Sequence, residues 1–340
     1  MPRTSIIVPV RNDVTRLTKL LGSLSPQDWE DHEILVIDDC STDETPQVAA
    51  GFPARVVSLD RRSGPAVARN HGARLAQEAV LVFADSDVVL EPGAIARLTR
   101  WMDDPNVIGV STVASETPEN PGFIAKYCAV TDKYVCDNWD ASPAESEAHD
   151  EAHQTCRWFS TRLGAIRKDV FFELGEFDTR FDRPCIEDAE FSSRLARRYS
   201  LVMDHGVEHT HHWPWKLSVV LRRVFINSRL LMTVVRDEDH PDAGVMTLSE
   251  KAGRILSGLA VLLLPTAPFS TIGALAAAGC FVVSAWLYRS LFGTYYRAGG
   301  VLFMLGSAML HYLTTCAGLA GAASALVAPP RNKRIEQDHA

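Results

Sequence analysis

The chain has 340 residues, of which 46% are hydrophobic, and its formal net charge at pH 7 is −8. This length exceeds one average domain, and the apolar content fits a soluble domain joined to a membrane portion. The charge is uneven, because residues 1–215 are strongly acidic whereas residues 216–340 are basic. The acidic first part argues against nucleic acid as a partner, and the basic second part suits an anionic membrane surface.

The seven cysteines show no Cys-x-x-Cys spacing, so neither a disulfide framework nor a zinc site is indicated. Reduced thiols in a cytoplasmic compartment are the simplest expectation. The first apolar segment, Ser5 to Val10, is too short for the hydrophobic region of a secretory signal. We therefore expect the amino-terminal domain to stay in the cytoplasm.

From Thr4 to Leu90 the pattern alternates between short apolar runs and segments with helical spacing. Ser41-Thr42-Asp43-Glu44 has the form of a capping box, which predicts that a helix begins there. The alternation predicts an α/β fold with a mostly parallel, Rossmann-like sheet. No GxGxxG or Walker lysine motif is present, so dinucleotide and P-loop sites lose their usual support. The predicted strands are Ser5–Val10, Glu33–Ile37, Arg55–Leu59 and Val80–Ala84.

Later segments are less regular. The acidic stretch from Asp132 to His153 has no periodicity, which predicts a loop over the site or an inert surface insertion. Trp158–Ile166 is predicted to be extended, and Asp188–Tyr199 is predicted to be a helix. A strand is predicted at Leu201–Asp204, with a cluster of histidines after it.

The last third of the chain indicates membrane contact. Lys216–Arg236 mixes apolar and basic residues, which is typical of a helix in the headgroup region, although a basic helix packed on the first domain fits the same pattern. Residues 253–288 predict a membrane hairpin broken near two prolines, and residues 299–328 predict a third span, with a re-entrant first segment as the alternative. The predicted divisions are thus 1–215, 216–252 for the interfacial helix and linker, 253–328 for the membrane helices and 329–340 for a polar tail.

Asp85-Ser86-Asp87 directly follows the apolar run that ends at Ala84. Two carboxylates at the carboxyl end of a strand face the crevice where open parallel sheets bind ligands. Mg²⁺ binds one or two carboxylates and fills its remaining positions with substrate phosphates. The triplet therefore suggests a diphosphate bridged by Mg²⁺ or Mn²⁺.

Six stretches, in this order and spacing, resemble a family 2 glycosyltransferase of the inverting, GT-A type, membrane-anchored as in bacteria. Residues 4–215 carry the resemblance. Two departures are Arg11, where many relatives have an aromatic residue beside the nucleotide, and the absence of the Gln-x-x-Arg-Trp signature of processive synthases. The absence favours transfer of a single sugar over polymerisation. The stretches are Ile6-Ile7-Val8-Pro9 with Asn12, Ile34-Leu35-Val36-Ile37-Asp38-Asp39 with Ser41 and Asp43, Ala68-Arg69-Asn70-His71-Gly72, Asp85-Ser86-Asp87, Gly175-Glu176-Phe177-Asp178 and Glu187-Asp188.

The resemblance implies a role for each candidate residue. Asp188, beside Glu187, matches the general base that takes the proton from an acceptor hydroxyl. Asp87 is expected to bind the divalent metal, with Asp85 contacting the ribose or a metal-bound water, and either His209 or His211 is a candidate third ligand. The alternative to metal binding is that the histidines after Asp204 lie at the boundary of a membrane. The expected donor-binding residues are Pro9, Arg11, Asp39, Arg69, Asp85, Ser86 and Asp87.

The expected function is transfer of one hexose from a nucleotide-sugar donor to a membrane-associated acceptor in cell-envelope glycan synthesis. The acceptor is expected to be a lipid-linked saccharide, with a polyprenyl phosphate as the alternative. The expected location is the cytoplasmic membrane, with several spans and the catalytic domain facing the cytoplasm. Two other functions compete with this expectation. One is a non-catalytic membrane scaffold that binds a nucleotide, and the other is a nucleotidyltransferase. The sequence predicts no oligomeric state.

Overall fold

The computed structural model describes residues 3–138, 153–181, 186–236 and 248–327, and the chain separates into two compact units. The described part of the first unit comprises residues 3–119, 153–181 and 186–212. The second comprises residues 120–138, 213–236 and 248–327. Residues 120–138, which the sequence assigned to the first domain, therefore belong to the second unit. The predicted polar tail and most of the predicted linker lie outside the described residues.

The described strands of the first unit form one nine-stranded sheet in the order β3-β2-β1-β4-β8-β6-β9-β5, with β7 paired to β9. The first four strands in this order are parallel, whereas β8 is antiparallel to both of its neighbours. The predicted α/β fold is confirmed, and the sheet is mixed. The strands are β1 (Thr4–Val10), β2 (Glu33–Asp38), β3 (Arg55–Ser58), β4 (Val80–Ala84), β5 (Val88–Leu90), β6 (Gly109–Ala114), β7 (His153–Cys156), β8 (Leu163–Arg167) and β9 (Leu201–His211).

Helices cover both faces of this sheet. One face buries aliphatic residues such as Leu17 and Leu21 against the strands. The other buries a cluster of phenylalanines that includes Phe83, Phe177 and Phe191. Burial of side chains this large is the main favourable term that holds the domain together. The helices of this unit are α1 (Val14–Ser23), α2 (Pro26–Asp31), α3 (Thr45–Ala49), α4 (Pro65–Leu75), α5 (Ala94–Arg100), α7 (Lys168–Glu173) and α8 (Glu187–Leu195), with α6 (Phe123–Asp137) in the second unit.

The predicted capping box at Ser41 is wrong. Helix α3 begins at Thr45, and its cap residue Glu44 makes no side-chain cap hydrogen bond. The side chain of Asp43 instead accepts a hydrogen bond from the Thr45 backbone N–H at 3.1 Å. A complete capping box is present at Ser25 and Asp28, where α2 begins. The pattern at Ser41 belongs to a loop, because its polar groups form hydrogen bonds to a distant part of the chain.

Several motif residues hold loops together at the carboxyl ends of the strands. Asn12 donates its backbone N–H to Ser41 Oγ at 2.9 Å, and its side-chain oxygen accepts the Thr42 N–H at 2.7 Å. Asn70 makes two hydrogen bonds to the backbone of Phe177, at 2.8 and 3.0 Å. These bonds fix the loops after β1 and β2 to each other, and they fix the loop before α8 to α4.

Gly72 allows α4 to approach the sheet closely. A Cβ atom at this position would lie 2.5 Å from Ile7 Cγ2 and 3.1 Å from Ile37 Cγ1, both in buried strands. Gly72→Ala is therefore expected to lower the free energy of unfolding by about 1–3 kcal/mol through overpacking. Thermal unfolding of the purified protein measures the effect. Gly22→Ala, at an exposed helical position with no atom within 4 Å, is the control, and equal midpoints for the two variants would contradict the prediction.

The described part of the second unit consists of helices and the short segments that connect them, with no strand among its described residues. It contains α6, α9 (Leu217–Arg236), α10 (Leu248–Leu263), α11 (Thr271–Leu287) and α12 (Arg289–Val327). Helix α9 packs closely against α12, where a Cβ at Gly321 would clash with the Phe225 carbonyl oxygen. The predicted loop at Asp132–His153 is wrong in its first part, because α6 extends to Asp137.

Among the described residues, α12 is the one helix that is long and apolar enough to cross a membrane, as judged by length and composition. It is kinked at Gly299 and Gly300, and Gly300 has a positive φ of 76°. Helix α11 is apolar but shorter. Large apolar side chains are exposed on both helices, including Ile272 and Leu302. These features indicate membrane association without fixing the number of spans.

Candidate active site

Asp85-Ser86-Asp87 connects β4 to β5 in the first unit. Strand β5 pairs antiparallel with the end of β9, so that Val88 lies opposite His211. The Asp87 carbonyl accepts the His212 N–H at 2.9 Å, and Asp87 Oδ1 lies 3.3 Å from His211 Nε2. The sequence placed the histidines after a strand ending at Asp204, whereas β9 continues to His211. This longer strand brings the imidazole of His211 to the acidic triplet.

Arg69 joins the two acidic motifs. Its guanidinium is buried, with Nη2 2.6 Å from Asp85 Oδ1 and Nη1 2.8 Å from Glu187 Oε1. Helix α4 supplies the arginine, the turn after β4 supplies Asp85, and the first residue of α8 supplies Glu187. The sequence proposed that Arg69 contacts a phosphate or base, or forms a surface ion pair. The structure places it in a buried network between carboxylates from two motifs that are far apart in the chain.

Burial and the charges of this network shift the pKa of Arg69 and the pKa of Asp85. Burial opposes the charged form of Arg69, but the neighbouring carboxylates of Asp85 and Glu187 outweigh it and raise the arginine pKa above its usual value. Burial also raises the pKa of Asp85, against the lowering effect of Arg69, and the nearby charge of Asp87 raises it further. Arg69 therefore keeps a fixed positive charge between the two motifs.

Asp188 lies at the start of α8, next to Glu187. Its carboxylate accepts the Ala189 backbone N–H at 2.8 Å. Burial, together with the negative charge of Glu187, raises the pKa of Asp188 to about 7, although Arg69 and Arg162 act in the opposite direction. A carboxylate with a pKa near neutral pH is suited to exchange a proton with a hydroxyl. This geometry permits general-base chemistry at Asp188.

His209 is fully buried beside the same triplet. Its Nδ1 lies 3.3 Å from Thr112 Oγ1, and Nε2 has no hydrogen-bond partner among the residues that the structure describes. Burial and the positive charge of Arg162 lower the pKa of His209 well below its usual value. The imidazole is therefore neutral at pH 7, which leaves a nitrogen lone pair for a ligand.

The donor set at the triplet suits a hard divalent cation whose shell a substrate completes. Asp87 and His211 bring a carboxylate oxygen and an imidazole nitrogen within 3.3 Å of each other. No group of three such donors close enough to hold a metal ion occurs in the described part of the chain. Mg²⁺ commonly binds few protein carboxylates and takes its remaining ligands from phosphates and water, so the residues fit a cation that arrives with a diphosphate.

The remaining predicted donor-binding residues are spread along the ends of the strands. Asp39 is buried, and its two carboxylate oxygens accept the N–H groups of Ser63 at 2.6 Å and Gly64 at 2.9 Å. It thereby fixes the turn that precedes α4. Pro9 is buried within β1, and Arg11 is exposed just after that strand. Ser86 Oγ lies 3.4 Å from Asp13 Oδ2.

Three further residues at this site were missed from the sequence. Arg16 Nε lies 2.8 Å from Asp13 Oδ1, and Arg16 Nη1 lies 3.9 Å from Asp87 Oδ2. Asp13 directly precedes α1 and Arg16 follows it by three residues, and this spacing is a signal that could have identified the pair. Arg162 accepts the Asp85 N–H through its carbonyl at 3.1 Å, and its charge acts on Asp188. It lies in an irregular loop, which gives no sequence signal.

Residues 5–169 match the profile described as Glycosyl transferase family 2. The chain is 31% identical over 106 residues to the succinoglycan biosynthesis protein ExoO of Rhizobium meliloti, in a match that covers 30% of each chain. It is 27% identical over 203 residues to an uncharacterized glycosyltransferase of Haemophilus influenzae, covering 58% of this chain and 63% of the relative. The matched regions thus span less than two thirds of the length of these relatives.

Among solved structures, the chain is similar to the mannosyltransferase PcManGT of Pyrobaculum calidifontis, solved in complex with GDP-Man and Mn²⁺. The TM-score is 0.56 at 19% sequence identity, and the match covers 96% of this chain and 87% of that one. At this identity the likeness establishes the fold, which is GT-A. The predicted family is confirmed for the matched part of the chain: residues 5–169 form a glycosyltransferase family 2 domain, and the fold is GT-A.

Proposed function

We propose that this protein is an inverting glycosyltransferase that moves a single sugar from a nucleotide-sugar donor to a hydroxyl of a membrane-associated acceptor. The observation that carries the proposal is the bridge through Arg69, which links Asp85 to Glu187. Through it, the acidic triplet and the Glu187-Asp188 pair share one network. The acidic triplet and the Glu187-Asp188 pair need to lie close together for this reaction. The diphosphate leaves the anomeric carbon while the acceptor hydroxyl attacks the same carbon.

Asp188 is the proposed general base. Its carboxylate takes the proton from the acceptor hydroxyl while that oxygen forms a bond to the anomeric carbon. The bond from this carbon to the diphosphate oxygen breaks, and its electron pair leaves with the nucleoside diphosphate. Attack from the side opposite the leaving group inverts the anomeric configuration. The neighbouring Glu187 carboxylate is, after burial, a cause of the raised pKa of Asp188, which is about 7.

Asp87 and His211, with Asp85 and His209 nearby, are the proposed ligands of Mn²⁺ or Mg²⁺. Such a cation supplies Lewis-acid stabilisation to the charge that develops on the leaving diphosphate. Proposed donor contacts come from the strand ends at Pro9, Arg11, Asp39 and Ser86. Arg69 is proposed to position the two carboxylates that flank it, and its buried geometry supports this role more than direct phosphate binding.

The proposed acceptor is a lipid-linked saccharide, in keeping with relatives described as acting in succinoglycan biosynthesis and in poly(ribitol-phosphate) glycosylation. A polyprenyl phosphate is the second candidate. A phosphate acceptor is already ionised and has little need of a base, whereas a hydroxyl needs one. The raised pKa of Asp188 favours the hydroxyl. A scaffold without catalysis would have no use for this carboxylate, which argues against that hypothesis.

Exposed apolar residues on α11 and α12 support membrane association, and we propose that the membrane is the cytoplasmic one. We propose that α12 crosses the bilayer and that α10 and α11 form the predicted hairpin. The catalytic domain is proposed to face the cytoplasm, where nucleotide sugars are made. In this arrangement the first unit is the transferase and the helical unit is the membrane portion.

A donor-hydrolysis screen tests the proposed function. Purified protein in detergent is incubated with a panel of nucleotide sugars and Mn²⁺ or Mg²⁺, and release of the nucleoside diphosphate is measured. We expect one donor to be hydrolysed, and we expect Asp87→Ala to lower that rate by more than about 100-fold, since loss of even supporting groups at a metal site costs 10–100-fold.

Asp103→Ala, at an exposed acidic position of the same unit, is the matched control and should retain full activity. Addition of a chelator should abolish hydrolysis by the wild type. If no donor is hydrolysed, or if the two variants behave alike and the chelator has no effect, the proposal of a metal-dependent transferase is wrong.

A further inference from the structure

A cavity of about 370 Å³ lies within the second unit, among α6, α9, α10 and α12. Its lining combines valines of α9 with two arginines, Arg223 and Arg254, and one acidic residue, Asp132. None of the candidate active-site residues lines it. The two arginines outnumber the one carboxylate, so the lining has a basic character, which is unusual between apolar helices.

His311 supplies the second observation. It lies on α12, lines the cavity and is 7% exposed. Neither of its ring nitrogens has a hydrogen-bond partner among the described residues. Two hydroxyls that line the cavity form other contacts: Thr314 donates to the His311 carbonyl at 3.0 Å, and Tyr127 Oη lies 3.0 Å from Thr314 Oγ1. A buried imidazole offers one donor and one acceptor, and leaving both unmatched is costly, so the geometry points to a bound polar group.

We propose that this cavity binds the phosphate monoester head group of an anionic lipid. A guanidinium matches two phosphate oxygens at once, and two arginines line the same space. The imidazole of His311 can donate to a third oxygen and accept from a phosphate hydroxyl. Val220 and Val224 add an apolar wall against which the first part of a lipid tail can pack. Lipid binding here does not depend on sugar transfer, because it concerns the helical unit alone.

The test measures lipid retention. The full chain is reconstituted in nanodiscs of phosphatidylcholine with and without phosphatidic acid, and bound lipid is then identified by native mass spectrometry. We expect the wild type to retain phosphatidic acid selectively over phosphatidylcholine. Arg254→Gln and Arg223→Gln are each expected to reduce that retention roughly tenfold, which corresponds to the loss of a charge-assisted hydrogen bond.

Arg222→Gln is the matched control for Arg223→Gln, because Arg222 is the neighbouring exposed arginine of α9 and does not line the cavity. A competition arm adds inorganic phosphate. If the wild type retains phosphatidic acid when inorganic phosphate is present, the lipid is the source of the phosphate. If inorganic phosphate displaces it, the site still recognises phosphate, and the free anion is the source. Equal retention of phosphatidic acid and phosphatidylcholine by the wild type, or equal retention of phosphatidic acid by the Arg223→Gln and Arg222→Gln variants, overturns the proposal.

Discussion

Asp188→Asn is expected to lower kcat by about 10²- to 10⁴-fold while donor binding stays nearly unchanged, because asparagine keeps the shape of the side chain but cannot take a proton. Single-turnover transfer and donor titration separate the two effects. Asp169→Asn is the matched control, since Asp169 also accepts the N–H of the next residue in the first turn of a helix and is exposed. Near-normal turnover in Asp188→Asn would remove this residue from the mechanism.

The same residue predicts the pH dependence of the reaction. Its folded-state pKa is raised from 3.8 to about 7, and the base acts in its deprotonated form. The transfer rate of the wild type is therefore expected to fall by about tenfold per pH unit below about pH 7 and to level off above it.

Asp188 should also make the free energy of unfolding depend on pH, in the direction opposite to the transfer rate. Between pH 4 and pH 7 the folded chain holds a proton on Asp188 that the unfolded chain has lost, so this group makes folding less favourable as pH rises through that window. In Asp188→Asn, the fall in transfer rate below pH 7 should disappear, and so should the contribution of this side chain to the loss of stability between pH 4 and pH 7. A wild-type pH profile that is flat from pH 5 to pH 8 would contradict the assignment.

Arg69→Met is expected to destabilise the first unit strongly. The methionine keeps the apolar stem but leaves the carboxylates of Asp85 and Glu187 without their counter-charge in a buried site. Removing one partner of a buried ion pair costs about 3–5 kcal/mol. For a domain of this size, that corresponds to a fall of roughly 10 °C in the midpoint of thermal unfolding.

Arg74→Met on the same helix is the control, because Arg74 is exposed and pairs with Glu176 at the surface, where such pairs contribute about 0–1 kcal/mol. Adding Glu187→Gln to Arg69→Met should recover part of the lost stability, since it removes one of the two unpaired charges. Equal midpoints for Arg69→Met and Arg74→Met would show that the buried network does not stabilise the fold.

The predicted strands of the amino-terminal half agree with the structure to within one residue at most ends, because buried parallel strands are continuous apolar runs between turn residues. The mixed sheet was not predictable in the same way. Strand β8 pairs with β4 across almost eighty intervening residues, and its apolar run does not encode direction. The end of helix α6 was missed because its acidic residues resemble those of a loop. This helix packs against α12 through residues such as Tyr127 and Val130, and that contact cannot be read from the local sequence.

In the candidate site, too, some features were predictable from the sequence and others were not. Local patterns placed Asp85, Asp87 and Asp188 at the ends of elements, where ligands bind in such folds. The bridge through Arg69 depends on three elements meeting, and no local pattern contains it. Other motif residues, such as Asn12 and Asn70, hydrogen-bond to backbone and hold loops in place. A sequence motif thus combines residues that can touch substrate with residues that keep the loops in shape, and sequence spacing alone does not separate them.

In the proposed membrane arrangement, the kink at Gly299 and Gly300 divides α12 into two segments that can take different angles to the lipid bilayer. From Val301 to Val327 the helix is roughly 40 Å long at 1.5 Å per residue, which exceeds the ~30 Å hydrocarbon layer. Hydrophobic mismatch of this size is relieved by tilting the helix away from the bilayer normal. The segment before the kink, which carries Arg289 and Arg297, is then able to follow the membrane plane while its continuation tilts across it.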